Sequence, residues 1–293
     1  MTFHTPYSTL HLPMTPTAFT AWLSLPRRPT LVMGVLNVTP DSFSDGGLHL
    51  DVDRAFDHAQ QMIAGGADLI DIGGESTRPG AGRIPADEQI GRVVPVIERV
   101  AKLGVAISID TTLAPVAEAA LNAGATIVND ISAGREDPKL VDLVARRACA
   151  VILMHMQGSP ATMQLNPIYA DVVAEVRDHL LARAGILEAA GVERSHIVLD
   201  PGIGFGKSVE HNLLLLKHLD TLVKTGYPVL VGTSRKGFIG KVLDLPASGD
   251  RLHGTAATVA WAVANGVGIV RVHDVGPMKQ IVTMIRSILE AGG

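Results

Sequence analysis

One cysteine in 293 residues, Cys149, leaves no internal disulfide to staple the fold. Its setting, ACAVILM, makes it a small buried hydrophobe rather than a nucleophile, and such sparing cysteine use suits a reducing cytoplasm. Charge is thin as well. Only 18% of residues are charged, the net charge is −4 and the pI is near 6.2, so neither nucleic acid nor an anionic membrane surface is the expected main partner. No apolar run approaches the ~18–20 residues of a membrane span. Residues 1–30 carry several prolines and threonines, without the basic start and continuous apolar segment of a signal peptide. The motifs H-E-x-x-H, paired C-x-x-C and G-x-S-x-G are all missing, which argues against a tight transition-metal site.

What is present is apolar and repetitive. Hydrophobic residues make up 47% of the chain, and its length suits an α/β barrel, for which about 250 residues is typical. Four segments share one grammar, in which a glycine stop is followed by an apolar run and a polar residue: AGGADLIDIGG, NAGATIVNDIS, AGVERSHIVLDPG and ANGVGIVRVHD. Glycine ends a helix cheaply in the left-handed conformation, and the β-branched run after it makes a strand. Eight such runs are counted, at 31–38, 69–74, 106–110, 127–132, 151–156, 197–202, 228–234 and 269–274. Helical spacing fills the intervals, notably 87–104, 169–191 and 209–226. Near-continuous apolar strands alternating with helices predict a parallel sheet covered on both faces. Eight units predict a (β/α)8 barrel over 31–293 with an N-terminal extension over 1–30; an open doubly wound sheet is the structural alternative.

A barrel places its chemistry at the C-terminal ends of its strands. Those ends carry Asn37, Asp71 to Glu75, Asp110, Asn129 with Asp130, His155, Asp200, Ser234 to Lys236, and Arg271 with His273. The stretch LDPGIGFGKS imitates a Walker A loop, but Pro201 stands where the first glycine of that loop belongs. Proline has no N–H to offer a phosphate. The glycines therefore serve another purpose, and Asp200 before them is the informative residue.

Asp110, Asn129 and Asp200 form one constellation, suited to a flat heterocycle with an amino-amidine edge, as in pterins and guanines. Each alone could instead tie a strand end to nearby backbone, a reading that weakens when all three are taken together. Lys236, Arg271 and His273 form a second. Residues two apart on a strand share a face, so Arg271 and His273 point together while Val272 packs outward, and with Asn37 they make an anion site. Lys236 could instead be a Schiff-base lysine, as in some barrel aldolases. Magnesium, which takes few protein ligands beside substrate phosphates, is expected at Asn37.

The series LNVTPDSFSDGG, DIGGESTRPGA, IVNDIS, LDPGIGFGKS, VGTSRKGFIG and RVHD resembles the motif order of the dihydropteroate synthase family, from about Leu31 to the C-terminus. The resemblance implies a barrel enzyme, usually dimeric, that joins 4-aminobenzoate to a dihydropterin bearing a CH2–diphosphate, and it implies a sulfonamide target. Carried onto matching positions, it implies a pterin slot of Asp110, Asn129, Met154, Asp200 and Lys236. Diphosphate would lie on Asn37, Arg271 and His273, with Mg2+ at Asn37. Phe43, Thr77, Pro79, Phe205 and Gly237 would meet 4-aminobenzoate, and Asp45 and Arg78 would join Lys236, Arg271 and His273 in catalysis. Gly237 departs from the pattern, since the family usually has serine after SRK; a non-enzymatic pterin-binding relative remains open on that ground. A corrinoid-linked folate methyltransferase shares the Asp–Asn–Asp logic but gives no reason for TPDSFSDGG and STRPGA.

Overall fold

The computed structural model describes residues 13–39, 48–76, 82–159 and 162–292. The apolar runs become eight parallel strands: β1 (Leu31–Asn37), β2 (Leu69–Gly73), β3 (Ala106–Asp110), β4 (Ile127–Asp130), β5 (Ala150–Met154), β6 (Ile197–Asp200), β7 (Leu230–Val231) and β8 (Ile269–Val272). They pair in the order β6-β5-β4-β3-β2-β1-β8-β7. The two ends of that order then meet, because Leu199 pairs in parallel with Val229 and its N–H donates to the Pro228 carbonyl at 2.9 Å. The sheet is closed, which removes the open-sheet alternative.

Eleven α-helices are described around it: α1 (Pro16–Leu23), α2 (Leu48–Ala64), α3 (Ala86–Val100), α4 (Ala114–Ala123), α5 (Lys139–Arg147), α6 (Val172–Ala189), α7 (Val209–Lys217), α8 (Asp220–Val223), α9 (Gly237–Leu243), α10 (Leu252–Ala264) and α11 (Val275–Glu290). The helix expected over 209–226 is two pieces, with the chain leaving helical geometry at His218, φ −110° and ψ 33°. Strand β7 is shorter than the run 228–234, since Pro228 has no N–H to add to the ladder. Among the described residues no helix is long and apolar enough to cross a membrane.

Two concentric layers of side chains follow from the period of two along each strand. Val32, Ile70, Ile72, Ile107 and Val128 point outward to the helices. Leu31, Met33, Leu69, Ala106, Ile152, Val198 and Ile269 fill the barrel's lower interior. Helix α1 completes that inner layer with Phe19, Trp22 and Leu23, so part of the 1–30 segment packs into the barrel base. Thr15 caps α1 by accepting the Ala18 N–H at 3.2 Å, and Trp22 Nε1 donates to the Pro29 carbonyl at 2.9 Å. Burial of Phe19 and Leu23 alone stabilises by about 1.5–3 kcal/mol each.

One pleat higher, the inward positions turn polar. Registers place Arg271 beside Met33, Asp71 beside Val35 and Ser108, and Asp110 beside Asn129. Apolar filling below and charge above define which mouth of the barrel is functional.

Candidate active site

A cavity of about 900 Å³ opens at the C-terminal ends of the strands. Asn37, Asp110, Asn129, Met154, Asp200, Phe205, Lys236, Gly237, Arg271 and His273 all line it. Residues separated by more than two hundred positions in sequence are thus brought to one rim. Phe43, Asp45, Thr77, Arg78 and Pro79 lie outside the described residues.

The two constellations read from the sequence are joined. Arg271 donates from Nε to Asp71 Oδ2 at 2.6 Å and from Nη2 to Asp110 Oδ2 at 2.9 Å. Asn129 Nδ2 donates to the same Asp71 Oδ2 at 3.1 Å. Two of the five guanidinium N–H groups are spent inside the protein, and three remain for a ligand. Asp71 was legible only as a rim residue; it stands below the cavity floor and holds two of the groups that face it. A charged residue at an inward mid-strand position, which must find a partner when buried, was the signal that could have found it.

The 200–208 turn is built by glycine. Gly202 has φ +65°, and a Cβ there would sit 2.0 Å from the His155 carbonyl oxygen. Its N–H donates to Asp200 Oδ1 at 2.7 Å, which fixes the carboxylate at the strand end. Lys207, only 3% exposed, then ties the turn down, with Nζ donating to the Phe205 and His155 carbonyls at 2.9 and 3.2 Å and lying 3.0 Å from His155 Nδ1. Sequence reasoning missed it as well. Its three N–H groups would meet three acceptors in the ammonium form, His155 Nδ1 among them, while burial brings Lys207 down to about 7. Phe205 is held against Met154, Met156, Met163 and Ile131 as an apolar wall. Lys236 Nζ stands 4.0 Å from the centre of the Phe205 ring, close enough for a cation–π contact.

Opposite this wall, Ser234 Oγ accepts the backbone N–H of His273 at 3.1 Å and lies 3.0 Å from its Nδ1. The hydroxyl has its own hydrogen to offer Nδ1, an arrangement in which the imidazole proton sits on Nε2 and faces the cavity. Burial, and then Arg271, bring His273 down to about 4. His273 therefore stands beside Arg271 as a neutral imidazole at pH 7 rather than as a second cation.

Titration of the other groups follows the same balance of burial against charge. Burial pushes Asp200 up to about 6, opposed by the Gly202 N–H, Lys236, Arg271 and Lys207. Burial lifts Asp110 to about 7 against the pull of Arg271. Burial, then Arg271, bring Lys236 down to about 8, with Asp200 and Asp110 holding it up. All three therefore sit within reach of neutral pH, as groups of a working site commonly do.

Among the described residues no group of three or more His, Cys, Asp or Glu side chains could hold a metal ion by itself. Asn37 offers one hard oxygen. One oxygen ligand on the same cavity as Arg271 fits magnesium, which keeps water and substrate oxygens around it; it does not fit zinc.

Comparison with known proteins agrees with this geometry. The family described as pterin binding enzyme matches residues 33–273. The dihydropteroate synthase of Bacillus subtilis is 48% identical over 265 residues, covering 90% of each chain. A solved Xanthomonas albilineans dihydropteroate synthase with 4-aminobenzoic acid superposes with TM-score 0.85 at 43% identity, covering 92% of this chain and 95% of that one. The same organism's enzyme in complex with 7,8-dihydropteroate gives TM-score 0.81 at 40% identity, covering 91% and 96%.

Proposed function

The chain belongs to the dihydropteroate synthases, transferases of folate biosynthesis, and we propose the division of labour by which its cavity carries out their reaction. In it, 4-aminobenzoate and (7,8-dihydropterin-6-yl)methyl diphosphate give 7,8-dihydropteroate and diphosphate. The observation that carries the reading is the single cavity itself, lined by the acceptors Asp110, Asn129 and Asp200, by Arg271 bonded to Asp110, and by an apolar wall at Met154 and Phe205.

Asp110, Asp200 and the Asn129 carboxamide oxygen accept from the amino-amidine edge of the pterin. Met154 and Phe205 cover the ring face, and Lys236 donates to a ring acceptor. Asn37, the free N–H groups of Arg271 and Nε2–H of His273 receive the diphosphate. Mg2+ held by Asn37, when bound, adds charge neutralisation on the diphosphate oxygens.

The C–O bond to diphosphate breaks first, and its electron pair leaves with the diphosphate onto Arg271 and His273. The resulting CH2 cation is shared with the electron-rich dihydropterin ring, an SN1-like path, and Asp110 and Asp200 at the ring edge stabilise it. Asp45 and Arg78 are assigned to the same step by family position alone. The aniline nitrogen of 4-aminobenzoate then attacks the CH2 carbon, and the proton it loses passes to the released diphosphate or to water. Phe43, Thr77, Pro79 and Phe205 are the contacts proposed for its ring, and the backbone at Gly237 is the contact proposed for its carboxylate.

The acting form is proposed to be a cytoplasmic homodimer. Exposed Leu213, Val242, Trp261, Met284 and Ile288 on α7, α9, α10 and α11 support a buried face of that kind. Incubation of the chain with both substrates, with and without Mg2+, tests the assignment by the appearance of dihydropteroate and diphosphate in equal amounts. Tight binding of the pterin diphosphate without product would identify a non-catalytic relative instead.

A further inference from the structure

Asp71 is 0% exposed and does not line the cavity, yet its Oδ2 accepts from both Arg271 Nε and Asn129 Nδ2. Its Oδ1 has no hydrogen-bond partner among the described residues. A buried carboxylate with one idle oxygen is expensive to keep, and an apolar residue on β2 would fill the barrel at lower cost. Some other demand retains it.

The demand is directional. An ionised carboxylate only accepts hydrogen bonds. Facing one, the Asn129 carboxamide must turn its NH2 group down toward Asp71, which leaves its oxygen as the end offered to the cavity. Together with Asp110 and Asp200, that makes three acceptors and no donor along this side. A ligand edge there must donate. With no anion beneath it, the amide could turn over and present two donors instead.

The same oxygen fixes the cation. Asp71 holds Nε and Asp110 holds Nη2, so the guanidinium is pinned at two of its three corners and its plane cannot rotate. Both Nη1 hydrogens and one Nη2 hydrogen are left for an anion.

We propose that Asp71 is a positioning residue for both ends of the site: it sets the Asn129 carboxamide oxygen toward the heterocycle and locks the plane of Arg271 toward the anionic tail. Recognition of a donor edge and recognition of a diphosphate then depend on one carboxylate that touches neither. The inference rests on the pterin and diphosphate reading given above.

The test is Asp71→Asn, alone and combined with Asn129→Ala or Arg271→Ala. Dissociation constants are measured for free 6-hydroxymethyl-7,8-dihydropterin and for its diphosphate. Asp71→Asn is expected to weaken the free pterin about tenfold and the diphosphate about a hundredfold, losses typical of hydrogen bonds to charged groups. The effects should not add. On an Asn129→Ala background it should cost free pterin nothing further, and on an Arg271→Ala background the extra loss for the diphosphate should vanish. A merely structural role would not move ligand preference. Here the wild type's rejection of a ring with oxo in place of the 2-amino group should narrow in Asp71→Asn, because the amide can then turn.

Binding of both ligands within twofold of wild type, or additive losses with unchanged preference, would overturn the proposal. If Asp71→Asn does not fold, a crystal of the wild-type chain with the dihydropterin decides instead. Asn129 Nδ2 on Asp71 and its oxygen on a ring N–H supports the proposal, and an amide turned the other way overturns it. Failure of the wild-type chain to bind either ligand would take down the pterin reading and this inference with it, an outcome distinct from a variant that behaves like wild type.

Discussion

Arg271 on β8 bonds Asp110 on β3 at 2.9 Å, across the mouth and past two intervening strands. The anion end and the heterocycle end proposed for the cavity therefore share a residue pair. Arg271→Ala should weaken the pterin diphosphate most, by about a hundredfold, but should also cost free pterin several-fold, because Asp71 and Asp110 lose their common counter-ion. Isothermal titration with both ligands measures the two losses. Unchanged affinity for free pterin would mean the two ends work independently.

Acid–base behaviour gives a second expectation. Asp200 and Asp110 are raised to about 6 and about 7, and a donor edge binds their ionised forms. Ligand binding therefore releases protons at acid pH, and affinity should rise as pH increases through 6 to 7, by up to about tenfold per unit for each proton released. Lys236 is lowered to about 8, so affinity should fall again above that pH as its charge is lost. The bell should appear in kcat/KM for the pterin substrate, which reports the free enzyme. Asp200→Asn should remove the steep part of the acid limb and Lys236→Met the alkaline limb; a profile flat from 5 to 9 in the wild type would contradict these assignments.

Gly237 invites a gain-of-contact test. A Cβ built there meets nothing within 4 Å, and its φ is not in the left-handed region. Gly237→Ser should leave the unfolding midpoint unchanged and add one hydrogen bond for the benzoate carboxylate. The KM for 4-aminobenzoate and the inhibition constant of a sulfonamide should both fall, by about two- to tenfold. A rise in either would show that serine is not accommodated as the open space suggests.

The barrel base should be separable from the chemistry. Trp22 is 2% exposed among strand residues of the lower layer, so Trp22→Ala should cost about 3–5 kcal/mol of stability. Denaturant titration measures it. KM for both substrates at a temperature where the variant is folded should match wild type, and a raised KM would mean that the base layer sets the geometry of the rim.

These residues also show where the sequence was informative. The eight strands were readable because strands buried on both faces are written as unbroken apolar runs, and the polar residue ending each run marked the rim. The ten described rim residues could be gathered by that rule together with the family resemblance. Asp71 was blurred because a strand-end list does not distinguish a side chain at the rim from one a pleat lower. Lys207 looked like the end of a phosphate loop, and only the path of the 200–206 turn buries it beneath His155 and Phe205. Helix α1 was hidden in a proline- and threonine-rich segment, since a helix of eight residues has too little periodicity to stand out. The break at His218 falls inside an uninterrupted helical pattern and has no local sequence signal.

A crystal of the chain with the pterin diphosphate and Mg2+ bears most directly on the proposed site. The amino edge of the ring should meet Asp110, Asn129 and Asp200, with the diphosphate on Asn37, Arg271 and His273 and the CH2 carbon between them, open toward Phe205. A ring bound elsewhere in the cavity, or a diphosphate directed away from Arg271 and His273, would contradict it.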